Sequence, residues 1–314
     1  MTLSEELKTF IIQRATARGF AQVGVARAEP LPRHGLRSWL QAGFHGGMSY
    51  MARNPDLRLD PRMLLPGAAS VIVLSSNYYF PVEDEKDPAR GIVARYARGD
   101  DYHEVLSAKL RLLVQEIRQH APAAQTRVAV DSAPVLEKEW ARRSGIGWVG
   151  KHSCIISPPY GSWILLSEII TDLELPADQP IDERCGSCRL CLDACPTGAL
   201  IQPYVVDSRK CISALTQLRP DQPIPVERRA GMGNRLFGCD LCQAVCPWNQ
   251  GQIPLTPESS FFPRSCFINP WLTDLAAWNE AQFRQRTSRS PIKKVKFAGF
   301  MRNVTVALRN GIQR

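Results

Sequence analysis

Several features common in chains of this size are missing. No run of apolar residues approaches the roughly 20 that a membrane-spanning helix needs. The longest apolar stretches, around Val71–Leu74 and Trp163–Leu166, have the length of strands. The first residues, Met1-Thr-Leu-Ser-Glu-Glu-Leu-Lys8, carry acids where a secretory leader carries bases and then an apolar block. A cytoplasmic chain with no membrane association is expected. There is no G-x-G-x-x-G dinucleotide loop and no Walker loop; Gly43-Phe-His-Gly-Gly47 and Gly145-Ile-Gly147 lack the spacing. The Cys-x3-Cys-x2-Cys spacing of radical enzymes is also absent. Acids are missing from the C-terminus. From Ala281 to Arg314 there are nine Lys and Arg and no Asp or Glu, so the formal +9 resides there and residues 1–280 balance. A one-signed field predicts a polyanionic partner such as nucleic acid, against the plainer reading of a solvated helical face.

The hydrophobic content of 44% over 314 residues is enough for a sizeable core and about two domains, with a small third piece. Helical periodicity marks Ser4–Arg18, closed by Gly19, and Asp100–His120, where Leu106, Leu110, Leu113, Val114 and Ile117 share a stripe. Strands are expected at Phe20–Ala26, Val71–Tyr79, Thr126–Asp131, Cys154–Ser157 and Trp163–Thr171, with a helix ending near Ser144. This alternation predicts an α+β fold whose N-terminal layered α/β domain covers residues 1–172. Asp172–Asp182, rich in Pro and Asp, reads as a linker into a second domain over 173–260. Residues 261–314 form a basic helical segment with helices at Leu272–Arg284 and Gly299–Arg309.

Of ten cysteines, seven lie in two groups: Cys185-x2-Cys188-x2-Cys191-x3-Cys195-Pro and Cys239-x2-Cys242-x3-Cys246-Pro. The first is the bacterial ferredoxin pattern. Cysteines three apart on a short loop can wrap one iron–sulfur cubane, and the cysteine before the proline reaches the neighbouring cluster. The second group is one thiolate short, and Cys211 is the candidate that completes it. Two 4Fe–4S clusters follow, one held by Cys185, Cys188, Cys191 and Cys246, the other by Cys195, Cys211, Cys239 and Cys242. Disulfides do not suit a chain without a leader, and zinc ribbons use separated pairs. Cys154 and Cys266 are left over and read as buried small hydrophobes.

Two clusters carry electrons but perform no reaction, so the first domain should hold a second cofactor. Asp101-Tyr-His103-Glu-Val-Leu106 approaches the Asp-x-His-x-x-Gly motif of corrinoid domains but lacks the glycine, so Asp101 reads as a helix cap. Composition and spacing alone reach an iron–sulfur redox protein.

Longer blocks go further. Arg58-Leu-Asp-Pro-Arg-Met-Leu-Leu-Pro66, Arg95-Tyr-Ala-Arg-Gly-Asp-Asp-Tyr-His103, Val130-Asp-Ser-Ala-Pro134, Gly145-Ile-Gly-Trp-Val-Gly-Lys-His-Ser-Cys154, Cys211-Ile-Ser-Ala-Leu-Thr216 and Gly233-Asn-Arg-Leu-Phe-Gly-Cys239-Asp-Leu-Cys242 together resemble the epoxyqueuosine reductases. The resemblance implies a corrinoid-binding first domain with base-off cobalamin and no histidine ligand, and a ferredoxin-like two-cluster domain. It also implies a HEAT-like helical C-terminus that breaks off in its first repeat. The implied reaction is deoxygenation of epoxyqueuosine to queuosine at the wobble base of tRNA.

By the same resemblance Asp131 is the catalytic proton donor, which would need a raised pKa. Arg58, Ala94, Asp131, His152, Ile155, Leu166, Ser213, Arg219 and the Cys239-Asp240-Leu241-Cys242 loop face the cobalamin. The tRNA would be held by bases of the C-terminal segment with Arg209, Lys210 and Arg235. An external low-potential electron donor and a monomer are expected. Alternatives are a corrinoid reductive dehalogenase of small molecules and a ferredoxin-like electron-transfer module without catalysis.

Overall fold

A computed structural model describes residues 2–32 and 34–312. Arg314, counted among the C-terminal bases, lies outside them. Helix α1 (Leu3–Ala17) starts with a reciprocal cap in which the Thr2 and Glu5 side chains each bond the other's backbone N–H. Gly19, at φ 79°, turns the chain into strand β1 (Gln22–Arg27). Strand β2 (Ser70–Asn77) is buried along its whole length. Helix α2 (Tyr102–His120) begins where Asp101 accepts the N–H of His103, which is the cap the failed corrinoid motif predicted. Strand β3 (Thr126–Ala129), helix α3 (Glu137–Arg143) and strand β4 (Ile164–Thr171) complete the layer.

The strands form one antiparallel sheet in the order β1-β2-β4-β3, so the first domain is α+β rather than doubly wound. Alternation along the strands divides the core. Ile72, Leu74 and Ile169 face α1 and α2 and meet Leu106, Leu110, Leu113 and Ile117. Val71, Val73, Ala129 and Ile170 face α3 and meet Trp140 and Ala141. Those four α2 side chains are each 0% exposed, and burial of each contributes roughly 1.5–3 kcal/mol.

Asp172–Asp182 has no helix or strand but is pinned to the first layer. The Asp178 carboxylate accepts from Lys8 Nζ at 2.6 Å and from the N–H of Val25 at 2.8 Å. The cysteine-bearing loops carry two short helices, α4 (Leu190–Asp193) and α5 (Leu241–Ala244). A short parallel pairing of Arg235–Phe237 with Ile92–Val93 joins them to the first domain.

At the C-terminus the single expected helix Leu272–Arg284 is broken. It is two helices, Leu272–Ala276 and α6 (Glu280–Thr287), because Asn279 and Gln282 form a reciprocal cap that starts a new helix. Helix α7 (Lys296–Ile312) packs Phe300 and Val304 on Leu236, Phe237 and Phe283. None of the described helices is long and apolar enough to cross a membrane.

Candidate active site and cluster-binding loops

The loop Cys185–Cys195 and helix α5 bring the first predicted cysteine set together. Cys185, Cys188, Cys191 and Cys246 line a single cavity of about 170 Å³, walled also by Lys151, His152 and Trp248. Lys151 Nζ donates to the Cys188 carbonyl at 2.9 Å, which holds the loop in shape. Burial, and then the charge of Cys246, pushes the Cys191 thiol up. Cys195, Cys211, Cys239 and Cys242 gather behind it. Burial raises Cys242, and the charges of Cys154, Cys239 and Cys211 raise it further. Burial lifts Cys211 too, with Cys195 among its neighbours. Cys195 sulfur accepts the N–H of Ala199 at 3.3 Å, an outer contact of the kind that tunes cluster potential.

All ten cysteines are free thiols. Crowded, buried thiols that repel one another on ionising need a cationic core between them. A cubane meets that need, because each thiolate binds a different iron. Among the described residues no group of three or more His, Cys, Asp or Glu converges on one ion, and a cubane with its four separate irons requires no such convergence. The residues present therefore fit two iron–sulfur clusters.

The second centre is built around Asp131. It follows β3 in the left-handed region at φ 52°, an uncommon conformation for a non-glycine residue and one found at functional turns. Tyr102 donates its hydroxyl to Asp131 Oδ2 at 2.7 Å, and His103 Nε2 lies 3.1 Å from the same oxygen. The other ring nitrogen, Nδ1, is 2.6 Å from Asp101. Lys294 Nζ, from the C-terminal segment, stands 3.1 Å from the imidazole. The Asp131 N–H donates to Glu137 Oε1 in a short contact.

The Asp131 side chain is 57% exposed, yet ringed by protein on its other sides. Burial alone would raise its pKa, as expected above. The hydrogen bonds from His103 and Tyr102, with the charges of His103 and Lys294, overcome burial and hold it down to about 2. His103 is raised, because its bonds to Asp101 and Asp131 outweigh its burial. The raised carboxyl belongs to Glu137, which burial and the Asp131 charge push up to about 8.

The remaining predicted positions scatter around this centre. Arg58 is buried, donates to the Tyr50 carbonyl at 3.2 Å and leaves its Nε without a partner. Burial lowers its pKa, opposed by Tyr50 and the charge of Asp131. Asp240 accepts the Arg95 N–H at 2.7 Å, while its other oxygen is buried and unpartnered. Tyr96 spans the gap: burial and the charges of Asp240 and Asp131 raise it, and its ring is 6.0 Å from that of Tyr102.

Ala94 is buried against Gly238; a Cβ there, at φ 68°, would sit 2.5 Å from the Ala94 Cβ. Glycine is needed for that approach. Ser213 accepts from Gln217 at 3.3 Å, and Gln217 also reaches the Tyr96 hydroxyl. Ile155 and Leu166 belong to the core on the α3 face. Arg219 is exposed and paired with Asp221.

Two positions behave differently from expectation. His152 lies in the wall of the first cysteine cavity; burial lowers it, but the neighbouring thiols of Cys154 and Cys246 raise it to about 9, while its Nδ1 accepts the Cys154 N–H at 3.1 Å and its Nε2 has no partner. Cys154 is a half-buried free thiol. Burial raises it, but Lys138 and His152 bring it down to about 7.

Sequence reasoning missed Tyr102, His103, Glu137, Glu168 and Lys294. One signal was present: Glu168 is the single acid in the strand Ile-Leu-Leu-Ser-Glu-Ile-Ile-Thr.

Two family models match the chain: "Epoxyqueuosine reductase QueG, DUF1730" over residues 58–132, and "4Fe-4S double cluster binding domain" over 184–249. The chain is 44% identical to the epoxyqueuosine reductase of Escherichia coli K12 over 300 residues, covering 93% of this chain and 78% of the other. Among solved structures it is similar to an epoxyqueuosine reductase crystallised with an epoxyqueuosine-modified tRNA-Tyr stem loop. That likeness has 33% identity and a TM-score of 0.88, over 98% of this chain and 82% of that one. A Bacillus subtilis epoxyqueuosine reductase with its catalytic aspartate loop swung out of the active site matches at 32% identity and a TM-score of 0.89, over the same shares.

Proposed function

The chain belongs to the epoxyqueuosine reductase family, and on that premise we propose that Asp131 is the centre at which it reduces epoxyqueuosine to queuosine in tRNA. The chain binds iron–sulfur clusters through its double-cluster domain, and the cysteine sets above are their ligands. The observation that carries the reading is the pair of bonds, from Tyr102 and His103, that fix an exposed aspartate in a left-handed turn. A carboxyl so placed can meet an incoming base and handle the proton on the epoxide oxygen.

The residues also fit a corrinoid. Arg58 and Asp240 each keep a buried polar atom without a partner. His103 is engaged by Asp101 and Asp131, so no cobalt ligand is offered there, in keeping with base-off binding. Arg58, Ala94, Asp131, Ile155, Leu166, Ser213, Arg219 and the loop Cys239–Cys242 would hold the group, with His152 at its cluster side. When bound, the clusters supply electrons singly and the corrinoid supplies a low-valent cobalt able to reduce the epoxide. The chain's own part is to hold the base, exclude water and deliver protons. Tyr102 and His103 position the Asp131 carboxylate, the Tyr102 hydroxyl by donating to Oδ2 at 2.7 Å and the His103 ring from 3.1 Å.

A tRNA is bound chiefly through phosphates, and the base must leave its stack to reach a buried centre. The C-terminal bases are only partly available for this. Arg289 pairs with Asp100, Lys293 with Glu104, and Arg302 caps the carbonyls of Arg219 and Gln222. Lys296 and Arg309 are exposed and have no ion pair among the described residues. The electron donor is an external low-potential one-electron carrier, and the working unit is a monomer. Mass analysis of tRNA from cells with and without the gene tests the function; queuosine that persists without accumulated epoxyqueuosine would refute it.

A further inference from the structure

Lys294 lies on the short helix Pro291–Val295, in which Pro291, Ile292 and Val295 are buried while Lys293 and Lys294 are exposed. Ile292 and Val295 belong to the C-terminal core with Phe283 and Phe300, which fixes where the two lysines stand. Lys293 is paired with Glu104 at 2.6 Å and lies 3.7 Å from Asp101, and Arg289 is paired with Asp100 at 2.9 Å. Lys294 differs from both. Among the described residues no carboxylate oxygen lies within 4.0 Å of its Nζ, and its polar contact is the His103 ring.

The ammonium is 3.1 Å from Nδ1 and 3.1 Å from Nε2. An atom so close to both nitrogens cannot lie in the ring plane, because it would overlap Cε1. It therefore stands over the face of the imidazole. Tyr102 is stacked on the same ring, with centroids 4.0 Å apart. Carboxylates take the edges, Asp101 Oδ1 at 2.6 Å from Nδ1 and Asp131 Oδ2 at 3.1 Å from Nε2. Asp101, which also accepts the His103 N–H, receives the Nδ1 proton. A bond between Nε2 and Oδ2 then needs one proton, held either as an imidazolium or as the Asp131 carboxyl. A cation nearer the ring than Oδ2 weighs most against the imidazolium.

We propose that Lys294 is a positioning residue for the reaction: its ammonium, seated over the imidazole face, loosens the hold of His103 on the proton shared with Asp131 and drives that proton onto the carboxyl that meets the epoxide oxygen. This rests on the function proposed above. The Nε2–H bond breaks as the Oδ2–H bond forms, and the proton passes from Oδ2 to the oxygen as the epoxide opens. Both C–O bonds break, a carbon–carbon π bond forms, and the oxygen leaves as water. The two electrons come from the external one-electron donor and the second proton from solvent. Around His103 the titratable and charged groups are Asp101 and Tyr102 beside it, Asp131 and Glu137 beyond strand β3, and Lys294. Burial lowers His103, its bonds to Asp101 and Asp131 raise it, and the Lys294 charge opposes them.

Lys294 acts through His103, so the test must read the imidazole itself. Deuterium exchange at histidine Cε1, followed by peptide mass spectrometry, measures the titration of His103 in the holoenzyme. Lys294→Gln removes the charge at an exposed position and should raise the His103 midpoint by about one pH unit or more. Lys294→Arg keeps the charge and should hold the midpoint near wild type. In single turnover on epoxyqueuosine-tRNA, Lys294→Gln should be slowed about tenfold or more at neutral pH, with the alkaline limb of its pH profile displaced upward. A midpoint that stays put in Lys294→Gln, or rises equally in Lys294→Arg, would overturn the proposal, as would a shifted midpoint with turnover unchanged. A wild-type enzyme that leaves epoxyqueuosine-tRNA unaltered, while Lys294→Gln still shifts the midpoint, would refute the function and not the action of Lys294 on His103.

Discussion

His103 Nε2 stands 3.1 Å from Asp131 Oδ2 although the two residues come from different elements, a helix start and the turn after a strand. Asp101 bonds the other imidazole nitrogen, and Lys294 approaches the ring from the C-terminal segment. The result is an anionic Asp131 beside an imidazole whose pKa is raised, because its bonds to Asp101 and Asp131 outweigh its burial. The site is poised to receive a proton from its neighbours.

Replacement of Asp131 by Asn removes the group that carries protons to the substrate and keeps its shape. Turnover should fall by about a hundredfold or more, while corrinoid and tRNA binding persist. Single-turnover assays with mass detection of queuosine, alongside cobalamin absorbance, check this.

The pH dependence of stability follows from the shifted carboxyls. Glu137 is raised to about 8 in the folded chain, above its ordinary 4.5. The folded state therefore binds more protons between those values. The contribution is fully present below the unfolded value and is lost as pH rises through about 8. Thermal melts should show Tm declining from pH 5 to pH 9, and Glu137→Gln should flatten that decline. Asp131 acts in the opposite sense. Held at about 2, its contribution is present above its unfolded value and is lost only as pH falls toward 2.

Cysteine replacements should separate ligands from bystanders. Cys246→Ser opens the cavity that Cys185, Cys188 and Cys191 also line, and should cost up to about half of the roughly eight irons of two cubanes. Cys266→Ser should leave iron content unchanged, since Cys266 packs in the C-terminal helical core. Iron analysis after anaerobic reconstitution distinguishes them.

Affinity for tRNA should fall steeply with salt. Lys296→Glu with Arg309→Glu should weaken binding and reduce the salt slope by about one for each phosphate no longer neutralised. Arg289→Glu should alter binding less, because its charge already faces Asp100. Filter binding across a salt series measures both.

In the core, Leu110→Ala on α2 should cost about 2–5 kcal/mol, read from denaturant melts, since the side chain is fully buried and its neighbours come from α1 and the sheet.

What the sequence determined by itself is local. Cysteines three apart dictate a loop that wraps a cluster, because ligand spacing along a chain is also spacing around the metal core. Asp101 as a cap and the Leu106–Ile117 stripe were legible for the same reason: helical neighbours are set by short separations. The helix break at Asn279 was legible in principle, since its cap with Gln282 spans three residues, but a continuous apolar pattern hid it. Only the tertiary structure could bring Lys294 to His103 or His103 to Asp131. Those meetings depend on sheet register and on how the C-terminal segment packs. Nor could composition show that much of the basic C-terminus is already paired within the chain. The charge state of Asp131 was decided the same way. Burial argues for a raised pKa, and the hydrogen bonds of Tyr102 and His103, supplied by a different element, reverse it.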